Sequence, residues 1–352
     1  MTATLLYAGV PRFYAEVERA AHPELSDRPI LVGGDPRKRG LVHAASEDAL
    51  AEGVEVGMAV LDALARCPRA RALPTDMRRY RDASAQLRAC FRRVTDRVEP
   101  AGLDAAYLDL AAVEKGPEEA ARGLQREVAA ELGLPLLAGI APVKFVARLA
   151  AEEAGPDGVR RVRGAELARF LHPLPVGRLP GVGPNTEAEL RELGVASVGD
   201  LARLGRSVLE ERLGNHGLTI LGYAQGRDPT RLRAAPHPRT LSQECTLAAP
   251  ERDVSVLEER LQELAQGLAS ALERESLAAR RVVLKLRFAD REATTRSRTL
   301  PRLVRAPGPI ARVAGELLAR TQAGERGVRR LGLALGALAT AAEDDAQLDL
   351  FS

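Results

Sequence analysis

The chain of 352 residues has no tryptophan, and aromatic residues make up only 3% of it. Any core must therefore be built from aliphatic side chains, chiefly Leu and Ala. Cysteine is nearly absent. Cys67, Cys90 and Cys245 are odd in number and far apart, and the five histidines are scattered. That excludes a disulfide framework and gives no zinc-ligand spacing, as suits a reducing cytosol. No apolar run approaches the roughly 20 residues of a membrane span. The first residues lack the basic start of a signal peptide. The expectation is a soluble, cytoplasmic protein with no membrane partner. Neither sign of charge dominates: 51 Lys and Arg against 48 Asp and Glu leave a net charge of +3. Overall charge thus names no partner, and local clustering must carry that argument. With 45% hydrophobic and 28% charged residues the composition is globular, and the length allows two to four domains.

What is present is organised around Val98 to Leu110, VEPAGLDAAYLDL. It reads as a short strand, a Pro–Ala–Gly bend and a second strand. Leu103, Ala105 and Tyr107 alternate with Asp104, Ala106 and Leu108. The bend sets Asp104 near a hairpin tip, where a carboxylate can face a cleft. Upstream, residues 4–8 form an apolar strand, and a helix opens after Pro11 with Phe13-Tyr14-Ala15-Glu16-Val17-Glu18. Arg39 to Met58, RGLVHAASEDALAEGVEVGM, is followed by Cys67-Pro68. Tyr80 and Ser84 lie on an amphipathic helix that leads into the central stretch. Leu137 to Gly158 reads LAGIAPVKFVARLAAEEAGPDG.

After a proline-punctuated linker, Leu179 to Leu204 reads as a helix–hairpin–helix. Its turn is Gly181-Val182-Gly183, and Thr186 with Glu189 has the spacing of a capping box. Backbone N–H groups at such a helix start suit a DNA phosphate without reading sequence. From Thr240 the pattern is strand (241–247), helix (251–273), strand (280–289), strand (294–301), helix (308–321), strand (327–337). Arg280, Arg281, Lys285, Arg287, Arg291, Arg296, Arg298, Arg302 and Arg305 crowd the middle hairpin against only Asp290 and Glu292. Lys285 and Arg287 share one strand face, with Arg281 and Phe288 flanking. A basic sheet of this kind binds phosphates in a salt-dependent, largely sequence-blind way. A small acidic stretch, 339–346, precedes Gln347-Leu348-Asp349-Leu350-Phe351-Ser352, a peptide with Leu350 and Phe351 as apolar anchors.

Taken in order, these stretches resemble the Y-family (translesion) DNA polymerases, and the resemblance runs from Thr4 to Phe351. It implies an α+β multidomain right hand: palm (1–18 and 76–168), fingers (19–75), helix–hairpin–helix thumb (169–233), linker (234–240) and βαββαβ little finger (241–338). A disordered tail (339–352) would carry a clamp-binding peptide. The frame is kept while its chemistry is not. The family's metal-ligand carboxylates align with Gly9, Asp104 and Ala105, leaving Asp104 alone, and no confident metal site. Glu99 and Asp109 are the nearest candidate substitutes. Tyr14 stands at the steric-gate position or is a packing residue. The family's triphosphate ligands align with Ala44, Glu47, Leu50 and Gly155, none of which holds a phosphate.

Lys144 is the remaining lysine of its motif, read as a DNA contact or as an exposed, solvated side chain. Lys144, Gly181, Val182, Gly183, Arg281, Lys285, Arg287, Arg296 and Arg298 are the expected DNA contacts. Gln347, Leu348, Asp349, Leu350 and Phe351 are similar to the peptide by which bacterial polymerases hold the β sliding clamp. The pattern looks most like the ImuB-type branch. That resemblance implies a non-catalytic adaptor in translesion synthesis and DNA repair, with an error-prone replicative-type polymerase and a RecA-like accessory protein as further partners, and no cofactor. The alternatives are an active, divergent polymerase using Mg2+ and dNTPs, and a regulator that only occupies the clamp or DNA.

Overall fold

The computed structural model describes residues 4–156, 158–233 and 240–340. The chain divides into two compact units, 1–235 and 236–352. The first is built on a five-stranded sheet of β1 (Leu5–Gly9), β5 (Val98–Pro100), β6 (Ala105–Asp109), β7 (Leu137–Ala141) and β8 (Val159–Arg161), in the order β5-β6-β1-β7-β8. β1 is the middle strand and runs antiparallel to both neighbours. Its alternation sends Leu6 and Ala8 into a core with Ala106, Leu108 and Ile140. The same core takes Leu87 and Phe91 from α4 (Met77–Val94) and Leu124 and Val128 from α5 (Pro117–Leu132).

Between β1 and α4 lie α1 (Phe13–Ala21) and a smaller sheet of β2 (Ile30–Gly33), β3 (Val42–Ala45) and β4 (Arg71–Pro74), ordered β3-β2-β4. α2 (Glu47–Ala51) and α3 (Val60–Arg66) accompany it, and Leu31, Val42, Ala49, Val60 and Cys67 form its own core. α6 (Lys144–Ala154) covers the other face of the five-stranded sheet. It approaches so closely that a Cβ at Gly139 would lie 2.2 Å from the Ala147 carbonyl oxygen and 2.3 Å from the Ala151 nitrogen. Phe145, Val146 and Leu149 of α6 share a third core with α7 (Leu167–Leu171), α8 (Pro184–Glu192), α9 (Val198–Arg203) and α10 (Arg206–Ala224). α10 is broken at Gly214, whose φ is 58°.

The second unit is a four-stranded antiparallel sheet under two helices. Its elements are β9 (Thr240–Glu251), α11 (Val254–Arg274), β10 (Leu277–Phe288), β11 (Ala293–Val304), α12 (Pro307–Leu318) and β12 (Val328–Thr340), with strand order β11-β10-β12-β9. This is the expected βαββαβ order, in an α+β chain of several domains. Strict alternation makes the core: Val282, Leu284, Leu286 and Phe288 meet Leu331, Leu333 and Leu335 beneath Leu261, Leu268 and Ile310.

One local expectation is corrected. α8 is not capped by Thr186. Its N-cap is Gly183, with no side-chain bond, and Pro184 occupies the first turn, so Thr186 lies inside the helix. The reciprocal capping box of this region is Ser197 with Asp200, at the start of α9.

Because backbone atoms of α6 would meet a methyl at position 139, Gly139→Ala should destabilise the first unit by about 1–3 kcal/mol or more. Urea unfolding followed by circular dichroism measures it.

Candidate functional site

The hairpin of β5 and β6 places Asp104 as expected, one residue before β6. Gly102 turns the chain with φ +103°, and the Ala101 N–H donates to the Ala105 carbonyl at 2.9 Å. The Asp104 carbonyl accepts from Val10 N–H at 2.9 Å, tying the tip to the end of β1. The Asp104 carboxylate folds back over the glycine, where a Cβ at 102 would lie 2.7 Å from Oδ1. Burial raises its pKa above the ordinary aspartate value, and no basic side chain offsets that.

Neither Gly9 nor Ala105, beside Asp104, carries a side-chain oxygen. Gly9 and Ala105 pair directly across β1 and β6. Neither proposed substitute is available. Glu99 accepts both oxygens' worth of bonding from Lys144 Nζ, at 2.9 and 2.8 Å, and takes the Arg233 N–H at 2.7 Å. Asp109 pairs with Arg97 at 3.1 Å and accepts the Ala111 N–H at 2.9 Å. Lys144 itself corrects the expectation of an exposed lysine. It is 9% exposed, held by Glu99 and lying 5.8 Å from the centre of the Tyr107 ring. Spacing on the helix signalled a lysine but could not show a carboxylate 45 residues earlier reaching it.

Tyr14 stacks on Tyr80, ring centres 4.2 Å apart and planes within 11°. Tyr80 donates to the buried Glu18 at 2.8 Å, and Glu18 also pairs with Arg79. Phe13, Tyr14, Leu50, Val56, Leu103 and Asp104 line a pocket of about 360 Å³ with Ala44, His43 and Arg12. The pocket brings Ala44, Leu50, Tyr14 and Asp104 together, as the motif order implied. Gly155, which caps α6 with φ +74°, does not line it. Arg12, a residue that motif reading passed over, adopts a left-handed φ of 50° just before α1 and pairs with Glu47 at the start of α2. Arg19 pairs with the next acid, Asp48, at 3.2 Å. Both acids sit at the helix N-terminus, where the dipole favours them. Arg12, which lines the pocket, is thus paired with an acid at the start of α2.

The basic sheet divides by face. On β10, Arg281, Lys285 and Arg287 are exposed on the side away from the helices. Phe288 points the opposite way, into the core. Arg296 and Arg298 register opposite Leu284 and Val282, so they belong to the helix side, and Arg298 is paired with Glu316 of α12. Arg296 and Arg298, named among the expected DNA contacts, thus stand on the opposite face from Lys285 and Arg287: the alternation of β11 was legible, but its register against β10 was not. The open face also carries Arg330, which registers across from Arg287 and was missed, but Glu244 of β9 pairs with it at 3.5 Å. Along β12 it continues as Gly332, Ala334 and Gly336, next to Lys285, Val283 and Arg281. Gly181, Val182 and Gly183 form the turn before α8, with Gly181 at φ +82°. Gln347 to Phe351 lie outside the described residues. Among the described residues, Cys90, Glu127 and Glu131 are the one group with metal-ligand spacing, and Arg93 already pairs with both glutamates. No helix among the described residues is long and apolar enough to cross a membrane.

Two measurements follow. Lys144→Ala leaves Glu99 partly buried without its cation and should cost about 1–3 kcal/mol, less than a fully buried pair because Glu99 keeps some solvent; urea unfolding tests it. Asp104 has a raised pKa, so its contribution to stability is present below its ordinary pKa and lost as pH rises through the raised value. Asp104→Asn should therefore raise the unfolding midpoint at pH 7, with the gain shrinking as pH falls toward the ordinary aspartate value of 3.8.

The comparisons with known proteins agree with one another. Residues 10–152 match the impB/mucB/samB family, residues 164–195 its helix–hairpin–helix motif and residues 238–350 its C-terminal domain. The chain is 37% identical to a DNA polymerase IV of Methanoculleus marisnigri, over 99% of this chain and 98% of the relative. It is 36% identical to a DNA polymerase IV of Halorhodospira halophila over the same shares. A chimeric Y-family DNA polymerase built on Dbh superposes with a TM-score of 0.81 at 24% identity, covering 96% of this chain and 99% of that one. DinB from Sulfolobus solfataricus superposes with a TM-score of 0.73 at 24% identity, covering 95% and 98%. The chain belongs to the impB/mucB/samB family, the Y-family DNA polymerases.

Proposed function

We propose that this chain is a non-catalytic, DNA-binding Y-family protein of DNA-damage bypass. One observation carries the reading: where the palm strands meet, Gly9 faces Ala105 and only Asp104 offers a carboxylate. Two-metal phosphoryl transfer holds two cations about 3.5–4 Å apart on several hard oxygen ligands. Asp104 and backbone carbonyls do not supply that set, and Glu99 and Asp109 are engaged elsewhere. The donor set does not fit a metal pair, so no reaction step is drawn through one. The changed pocket agrees. Leu50 and Ala44 offer a triphosphate no donor, and Glu47 repels it while occupying Arg12.

DNA binding rests on the open face of β9–β12. Arg281, Lys285 and Arg287 stand there exposed, with Arg330 held by Glu244 at 3.5 Å and Gly332 covered by the same Glu244 side chain. The hairpin at Gly181 to Gly183 adds a second, sequence-blind contact. In this reading the tail, Gln347 to Phe351, holds the sliding clamp. The bound protein then brings an error-prone polymerase, with a RecA-like accessory protein, to the lesion. A second reading, an active divergent polymerase requiring Mg2+ and dNTPs, is favoured by the names of the relatives, which are DNA polymerases IV at 36–37% identity.

Primer extension on a primed template, in Mg2+ and separately in Mn2+, separates the two readings. The expected result is no extension by the wild type while the DNA remains bound. Extension that disappears in Asp104→Ala would sink the non-catalytic reading. For the DNA face, Arg281→Ala, Lys285→Ala and Arg287→Ala should each weaken binding and reduce the salt slope by about 1 in fluorescence anisotropy. Arg298→Ala, which only frees Glu316, should leave binding nearly unchanged.

A further inference from the structure

The space where a side chain at position 9 would have to stand is filled. A Cβ at Gly9 would lie 2.9 Å from the Tyr7 hydroxyl oxygen, 3.1 Å from Tyr7 Cε1 and 3.0 Å from Ala105 Cβ. Ordinary contact between carbon atoms is about 3.5–4.0 Å. Tyr7 leaves the strand on the same face as Gly9, two residues earlier, and its ring leans forward over the glycine. It is half-buried and packed on two sides. Its centre lies 5.2 Å from that of Tyr107, tilted 58°, and it packs against the core that α6 shares with α7 to α10. Burial, with Asp104 nearby, pushes the phenol up to about 12, so at neutral pH it presents a protonated hydroxyl and no anion.

We propose that Tyr7 plugs the palm: its ring and hydroxyl occupy the volume that the position-9 member of a carboxylate pair at 9 and 105 would need. Returning those carboxylates alone does not rebuild a metal site while Tyr7 is in place. The inference rests on the non-catalytic reading given above, and it deepens it. Loss of the carboxylates and insertion of the tyrosine are two halves of one repacking, as close packing of interiors requires.

The test uses the full chain and Mn2+ alone as probe, titrated by electron paramagnetic resonance of the free ion. Four proteins are compared: wild type, Tyr7→Leu, Gly9→Asp with Ala105→Glu, and the triple variant carrying all three changes. The carboxylate pair alone should bind no better than wild type, and the triple variant should gain a site at least about 10-fold tighter. A carboxylate pair that binds as tightly as the triple variant overturns the plug, and so does a folded triple variant that gains nothing. An arm independent of metal guards against misfolding. Gly9→Ala should lower the melting temperature by about 2–4 °C in the wild-type background and by clearly less in Tyr7→Leu. Equal losses in both backgrounds overturn the proposal, and this arm decides alone if the triple variant does not fold. Primer extension by the wild type would overturn the non-catalytic reading instead, while the Gly9→Ala pair still reports on the plug.

Discussion

The first unit depends on the hydrogen bonding of β1 to both β6 and β7. A strand bonded on both edges is fixed in register, so a change at one position cannot be absorbed by sliding the strand. It is met by whatever side chain is already next door. With glycine at 9 and alanine at 105, the neighbour that expands is Tyr7. Its half-buried ring meets Tyr107 and the core beneath α6. Where β1 meets β6 the packing is mainly hydrophobic, and Asp104 is the outlier, a carboxylate that burial disfavours.

Much of this was legible in the amino-acid order. Alternation around Tyr107 gave the hairpin and the place of Asp104, because a two-residue period has only one way to meet a core. The βαββαβ order of the second unit could be read for the same reason. What the sequence could not supply was partnership across long separations. Nothing near Lys144 announces Glu99, and nothing near Arg12 announces Glu47, since ion pairs leave no period to detect. Tyr7 carried no signal either: in a short apolar strand it reads as one more core residue. The helix start near Thr186 was misread because Gly183 and Pro184 already satisfy its geometry without a side-chain cap.

The sheet of the second unit shows how charge counting fails without register. Arginines and a lysine crowd β10 and β11, yet β11 turns two of them toward the helices, where Arg298 meets Glu316. The surface that remains is less charged than the sequence implied. The acidic Glu244 lies over Gly332 and pairs with Arg330, so the charge that remains is carried by Arg281, Lys285 and Arg287. A surface built that way offers few groups able to tell one base from another.

The pairing of Arg12 with Glu47 bears on how the small β2–β4 sheet is held. In a pocket whose two walls are joined by a bound anion, closure waits for that anion. Here the wall carrying α2 is linked to the start of α1 by charges the protein itself provides, with Arg19 and Asp48 as a second link. Both links are between partly exposed charges, so their strength falls as ionic strength rises and does not depend on a ligand.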